Sequence, residues 1–143
     1  MKRIKSCCMA LVLVTLWVIG GWNTGRAAIR EDTFSPFYMY TTKVSASLTI
    51  DENGDATCKG SIRVRSNDSS VSMNVQLQLK TASSWMPVKT WHVSSDGGKY
   101  LISLSEDRAV SSGTYRVYVD GIVTDIDGNT EAVFAVSGEK TYP

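Results

Sequence analysis

The side chains able to do chemistry are few and scattered. His92 is the only histidine, and a catalytic triad around it would need a nucleophile and an orienting acid that nothing in the spacing supplies. It reads as a strand-edge residue. Cys58 shares its parity with Ala56, Ile62 and Val64, where a free thiol behaves as a small hydrophobe and not as a nucleophile. Cys58 and His92 together fall short of the ligands a metal site takes, so neither a metal nor a cofactor is expected. Two acidic runs, Asp51-Glu52-Asn53-Gly54-Asp55 and Asp125-Ile126-Asp127-Gly128-Asn129-Thr130-Glu131, hold oxygen atoms of the kind calcium prefers. The second has its Gly fourth, where an EF-type loop has it sixth, and lacks the downstream bidentate Glu. A tight turn accounts for both runs, and the glycines, single or in turns, form no phosphate loop.

Three aromatic residues remain as the candidate binding surface. Trp85 and Trp91 are six residues apart and share one face of a regular strand. If that face is wet, two indoles offer a platform for a sugar or a docking patch for a protein. If it is dry they are core, and a domain of this size without a disulfide favours core for at least one. Tyr118 falls on the polar parity of its strand between Arg116 and Asp120, as interface tyrosines do. No catalytic residue is expected, and a hydrolase would require His92 to meet a hydroxyl or thiol and a carboxylate in a cleft.

The elements that must position these residues are strands. Gly113 to Thr124 is the organising stretch: Tyr115, Val117, Val119, Gly121 and Val123 alternate with mostly polar residues, the period of a central strand with one buried face. Its Gly-then-Tyr start matches the corner at which a Tyr hydroxyl bonds back to nearby backbone in immunoglobulin-like sandwiches. Earlier, Val44, Ala46, Leu48 and Ile50 alternate up to Asn53-Gly54, and Ala56, Cys58, Gly60, Ile62 and Val64 return, which is a hairpin signal. A third strand follows with Val71, Met73, Val75, Leu77 and Leu79 on one face. Trp85 to Val93 is apolar on both parities and holds Pro87, so it belongs at a sheet edge or contains a bulge. A fifth strand spans Lys99 to Ser105, Glu106 to Ser112 crosses over, and Thr130 to Val136 closes the last hairpin. Seven such strands without a helical period predict an all-β fold, an antiparallel seven-stranded immunoglobulin-like sandwich.

Residues 1–27 have the form of an export signal. Lys2, Arg3 and Lys5 precede an apolar run from Met9 to Ile19, too short for the roughly 20 residues of a membrane span. Gly25 and Ala27 sit where cleavage prefers small residues, so the expected mature chain begins at Ala28. Cys7 and Cys8 precede the apolar run, which argues against a lipoprotein. Loss of Lys2, Arg3, Lys5 and Arg26 takes the basic count from 15 to 11 against 14 acidic residues, so nothing attracts nucleic acid or an anionic membrane. Cys58 is then the sole cysteine, and no internal disulfide can form. A lead-in segment, residues 28–42, precedes one domain, residues 43–143, with Phe34, Phe37, Tyr38 and Tyr40 expected to pack on it or to start a short strand.

The succession Tyr115-Arg116-Val117-Tyr118-Val119, an Asp-Gly turn and a closing strand resembles the last hairpin of fibronectin type III and related immunoglobulin-like domains. With the signal, Ala56-Thr57-Cys58-Lys59-Gly60 and the Trp85 and Trp91 pair, the chain is similar to small secreted single-domain proteins of Gram-positive bacteria. The resemblance implies a fold and an extracellular location, and it carries over no active residue. The function expected is non-enzymatic binding of a protein or glycan partner outside the cell, with a bacteriocin-like effector as the alternative.

Overall fold

The computed structural model describes residues 37–143; the leader, its cleavage point before Ala28 and the lead-in up to residue 36 lie outside the described residues. Among the described residues eight strands form two antiparallel sheets: β1 (Thr41–Ile50), β2 (Asp55–Val64), β3 (Ser70–Lys80), β4 (Trp85–Ser95), β5 (Leu101–Ala109), β6 (Gly113–Thr124), β7 (Thr130–Val136) and β8 (Lys140–Tyr142). One sheet has the order β1-β2-β5, the other β4-β3-β6-β7 with β8 on the far end of β6.

Alternation in the sequence becomes burial because a pleated strand sends successive side chains to opposite faces. Ala56, Cys58, Ile62 and Val64 of β2 share one core with Val71, Met73, Val75 and Leu77 of β3 and with Tyr115, Val117, Val119 and Val123 of β6. Each fully buried Val, Leu or Ile contributes about 1.5–3 kcal/mol relative to exposure, so these three strands carry most of the stability. The sheets approach closely at Gly60, where a Cβ would stand 2.6 Å from Val75 Cγ2 and 2.8 Å from Val119 Cγ2. Any side chain there would push the sheets apart. Tyr115 is buried, and its hydroxyl donates to the Ser111 carbonyl at 2.9 Å, which ties the β5–β6 connection to the start of β6.

Both acidic runs are turns of one construction. Asp51 Oδ1 accepts from the Asn53 and Asp55 amides, and Asp125 Oδ1 accepts from the Asp127 and Asn129 amides. Gly54 N–H returns to the Asp51 carbonyl and Gly128 N–H to that of Asp125, with φ of 81° and 86°, the left-handed region that glycine enters without cost.

Three boundaries differ from the periodic pattern. β1 begins at Thr41, two residues before the expected domain start, and the residues before it are docked, since the Met39 and Tyr40 amides donate to Glu131 and Tyr38 and Tyr40 pack on the core. Phe37 is exposed. β5 continues through Glu106 to Ala109, which pair with Cys58 to Asp55. Glu106 and Arg108 take the core-side parity there but are exposed on this edge strand, and no apolar alternation marks it. β8 is the eighth strand. At Ser137 the side-chain hydroxyl accepts from the Val117 amide, and after that interruption Lys140–Tyr142 resumes pairing with Tyr115–Gly113.

Candidate functional site

The surface that stands apart is the outer face of the β4-β3-β6-β7 sheet. Residues paired across antiparallel strands point to the same side, so the register sets out its rows in order: Trp85–Lys80; Pro87–Gln78–Arg116; Thr90–Gln76–Tyr118–Val136; His92–Asn74–Asp120–Phe134; Ser94–Ser72–Ile122–Ala132. Phe134 is 54% exposed, Ile122 45% and Val136 43%. Tyr118 and Phe134 stack with ring centroids 6.4 Å apart and planes at 21°. Apolar side chains gathered on one outer face of a sheet mark an interaction surface more often than isolated ones do.

The two tryptophans do not share a face. Trp91 pairs with Val75 and packs on the core, whereas Trp85 pairs with Lys80 on the outer side. The register slips between Leu77 and Gln78, opposite Lys89 and Pro87, and leaves Val88 as the extra residue. A bulge inserts one residue and so inverts the parity of what lies beyond it. The expectation of a common face assumed a regular strand, and Trp91 leaves the candidate surface for that reason. Trp85 and Tyr118 remain on it.

Trp85 is not a bare indole. The Arg116 guanidinium carbon lies 4.2 Å from its ring centroid and Lys80 Nζ 5.5 Å away, a cation–π arrangement that reaches across β3. Arg116 Nε donates to Gln78 Oε1 at 2.9 Å, and Gln78 Nε2 donates to Gln76 Oε1 at 3.0 Å. Gln78 occupies the outer parity but is only 8% exposed, roofed by these neighbours and satisfied at both ends. Sequence reasoning singled out Arg116 only as Tyr118's neighbour. Its meeting with Trp85 depends on β4 and β6 flanking β3, which no local spacing encodes.

The other candidates are placed apart. His92 is exposed on edge strand β4, its Nδ1 donates to Asn74 Oδ1 at 2.9 Å, and Asn74 Nδ2 donates to Asp120 Oδ2 at 3.1 Å. Cys58 is fully buried on β2 of the other sheet; burial, with Asp107's charge, pushes its thiol up to about 11, so it stays protonated at neutral pH. Thiol and imidazole therefore belong to different sheets and different environments. Asp125 is held below its ordinary value chiefly by the Asn129 side chain, at 2.9 Å, then by the Asn129 and Asp127 amides, against some desolvation. Tyr40 is raised by desolvation and then by the charge of Asp125. An open groove of about 440 Å³ lies between Thr49, Ile50, Asp51, Asp55, Thr57 and Asp107, and Thr57 Oγ1 donates to Asp107 at 2.7 Å. Among the described residues no group of three or more His, Cys, Asp or Glu is arranged to hold a metal ion.

Fold and face together define an all-β, two-sheet domain with aromatic residues on one outer surface. No family model and no curated protein matches the chain. Among solved structures, a β-glucosidase from Listeria innocua in complex with gluconolactone is similar over 71% of this chain and 16% of that one, at 16% identity and a TM-score of 0.31. A likeness that slight says nothing of what this chain does.

Proposed function

We propose that this chain is an exported, non-enzymatic binding protein whose partner docks on the outer face of the β4-β3-β6-β7 sheet. The observation that carries the reading is the line of exposed or half-exposed Trp85, Tyr118, Phe134, Ile122 and Val136 on one face. We further infer that the two sheets are the halves of an immunoglobulin-like sandwich, with β7 and β8 together forming the seventh strand, and that the protein is a secreted bacterial one. The strand order and the Tyr115 to Ser111 hydrogen bond support the first inference. The form of residues 1–27 supports the second. Mass measurement of the protein in culture medium tests export, the expected N-terminus being Ala28.

Adding the labelled protein to intact bacterial cells and to glycan and protein arrays tests binding. Tyr118→Ser with Phe134→Ser should abolish attachment, and Thr57→Ala on the opposite outer face should leave it unchanged. Equal attachment by both would defeat the assignment of this face. Growth inhibition of other bacteria by the added protein would favour an effector instead.

A further inference from the structure

Arg116 is an arginine prepared for something that the described residues do not supply. Guanidinium has five N–H donors and no acceptor. Nε is spent on Gln78, and the Nη groups have no hydrogen-bond partner among the described residues. The sole ion pair among those residues is Lys80 with Glu139, at 3.1 Å, and the nearest acid on β6, Asp120, already accepts from Asn74. The guanidinium of Arg116 is nonetheless held, its carbon over the Trp85 ring on one side and its Nε bonded to a buried amide. Holding the fork still in advance removes entropy that a free side chain would lose on binding.

The amides beside it are polarised by the same contact. Arg116 can only donate, so Gln78 must offer its oxygen to it and its nitrogen to Gln76 Oε1. Gln76 is left with a donating nitrogen next to Tyr118. The row between Trp85 and Tyr118 thus presents donors, flanked by two aromatic surfaces, and suits a ligand rich in acceptors with a planar anion. An extended peptide would bind most readily by adding a strand to an edge. Both edges of this sheet are blunted, β4 by Pro87 and its bulge, and β7 where the Phe134 amide already donates to Tyr38 Oη at 3.2 Å. A sugar ring, which stacks on an aromatic face and needs no edge, fits the remaining geometry.

Building on the reading of this face as the docking surface, we propose that Arg116, laid on Trp85 and locked by Gln78, pairs bidentately with the carboxylate of an acidic sugar, and that the partner is a carboxylated polysaccharide. The test is calorimetric titration of the full chain with oligomers of galacturonate, of hyaluronate and of N-acetylneuraminate, each beside its methyl ester, and with hexaglutamate. Binding of at least one acidic oligomer is expected, at least tenfold weaker for its ester, and weaker as salt is added. Arg116→Ala should weaken it at least tenfold and Arg116→Lys several-fold, since lysine keeps the charge but loses the fork. Unchanged thermal midpoints would show that these variants still fold. Equal binding of acid and ester, preference for hexaglutamate, or no binding of any oligomer would each overturn the proposal. If Arg116→Ala leaves attachment to cells intact while the Tyr118 and Phe134 double variant loses it, the carboxylate site falls and the docking face stands.

Discussion

The two outer faces of this domain are made by the same kind of strand and are finished differently. On the β1-β2-β5 sheet the outward rows are Lys43–Arg63–Leu101, Ser45–Ser61–Ser103, Ser47–Lys59–Ser105 and Thr49–Thr57–Asp107. Apart from Leu101 at the end of one row they are short or charged, and several close on one another, with Ser45 and Ser61 hydroxyls 2.6 Å apart and Thr57 bonded to Asp107. The β4-β3-β6-β7 face carries Trp85, Tyr118, Ile122 and Phe134, with an arginine whose Nη groups have no hydrogen-bond partner among the described residues. Solubility alone asks for the first kind of face. The second leaves apolar area and donors in water, as the proposed docking face would.

If that contrast is right, stability comes from between the sheets and recognition from outside one of them, and substitutions should separate the two. The largest loss of stability is expected inside. Trp91→Ala removes an indole packed on the core beside Val75 and should cost about 3 kcal/mol, read as a lower urea midpoint, with attachment retained by whatever remains folded. Were Trp91 instead dispensable for stability and needed for attachment, the assignment of faces by the Val88 bulge would be wrong.

Next in size is Tyr115→Phe. It keeps the buried ring and removes the bond to the carbonyl of exposed Ser111, at a cost of about 0.5–1.5 kcal/mol, which a thermal melt would record. Asp125→Ala should do less. The Asp125 carboxyl is depressed in the folded state, so its contribution is fully present above the unfolded carboxyl range and is lost as pH falls through the lower folded value. The melting midpoint of the parent protein should therefore fall more steeply than that of Asp125→Ala as pH drops below about 4. Parallel curves would remove Asp125 from the stabilising set. Cys58 offers a check that changes nothing in the protein: with its thiol raised to about 11 and its sulfur fully buried, alkylation at pH 8 should be undetectable in the folded state and rapid in urea.

What could be read in the chain divides along the line between period and pairing. The inner sets of β2, β3 and β6 were legible because each keeps strict alternation over nine residues or more, and burial follows parity except at Gln78. The turns at Asp51 and Asp125 were legible too, since Asp side chains that bond their own loop and Gly in the left-handed region are local chemistry. The end of β5 was not, because its residues are exposed on both parities. Nor was the fate of Trp85 and Trp91. Pro87 signalled an edge or a bulge, and only the pairing with β3 shows that Val88 is the inserted residue and that the two indoles part company across it. Arg116 on Trp85 is further from local pattern still, a contact over 31 positions that exists because β3 lies between β4 and β6.

The smallest expected effect on stability decides most about the faces. Tyr118→Ser and Phe134→Ser remove a stacked pair from the outside of β6 and β7, where Phe134 is 54% exposed in the folded protein. Little apolar area is lost from water-free surroundings, so the urea midpoint should shift by an amount equivalent to about 0.5 kcal/mol or less per site, as for surface substitutions generally. Attachment to the partner should nevertheless vanish, because aromatic anchors at the centre of an interface carry a large share of its energy. The matching pair on the quiet face, Ser45→Ala with Thr57→Ala, removes two hydroxyl bonds and should cost a similarly small stability, about 1 kcal/mol or less, while leaving attachment unchanged. A substantial loss of stability from the aromatic pair with attachment untouched would mean that Tyr118 and Phe134 brace the β6–β7 hairpin, and the two faces would then differ in structure and not in purpose.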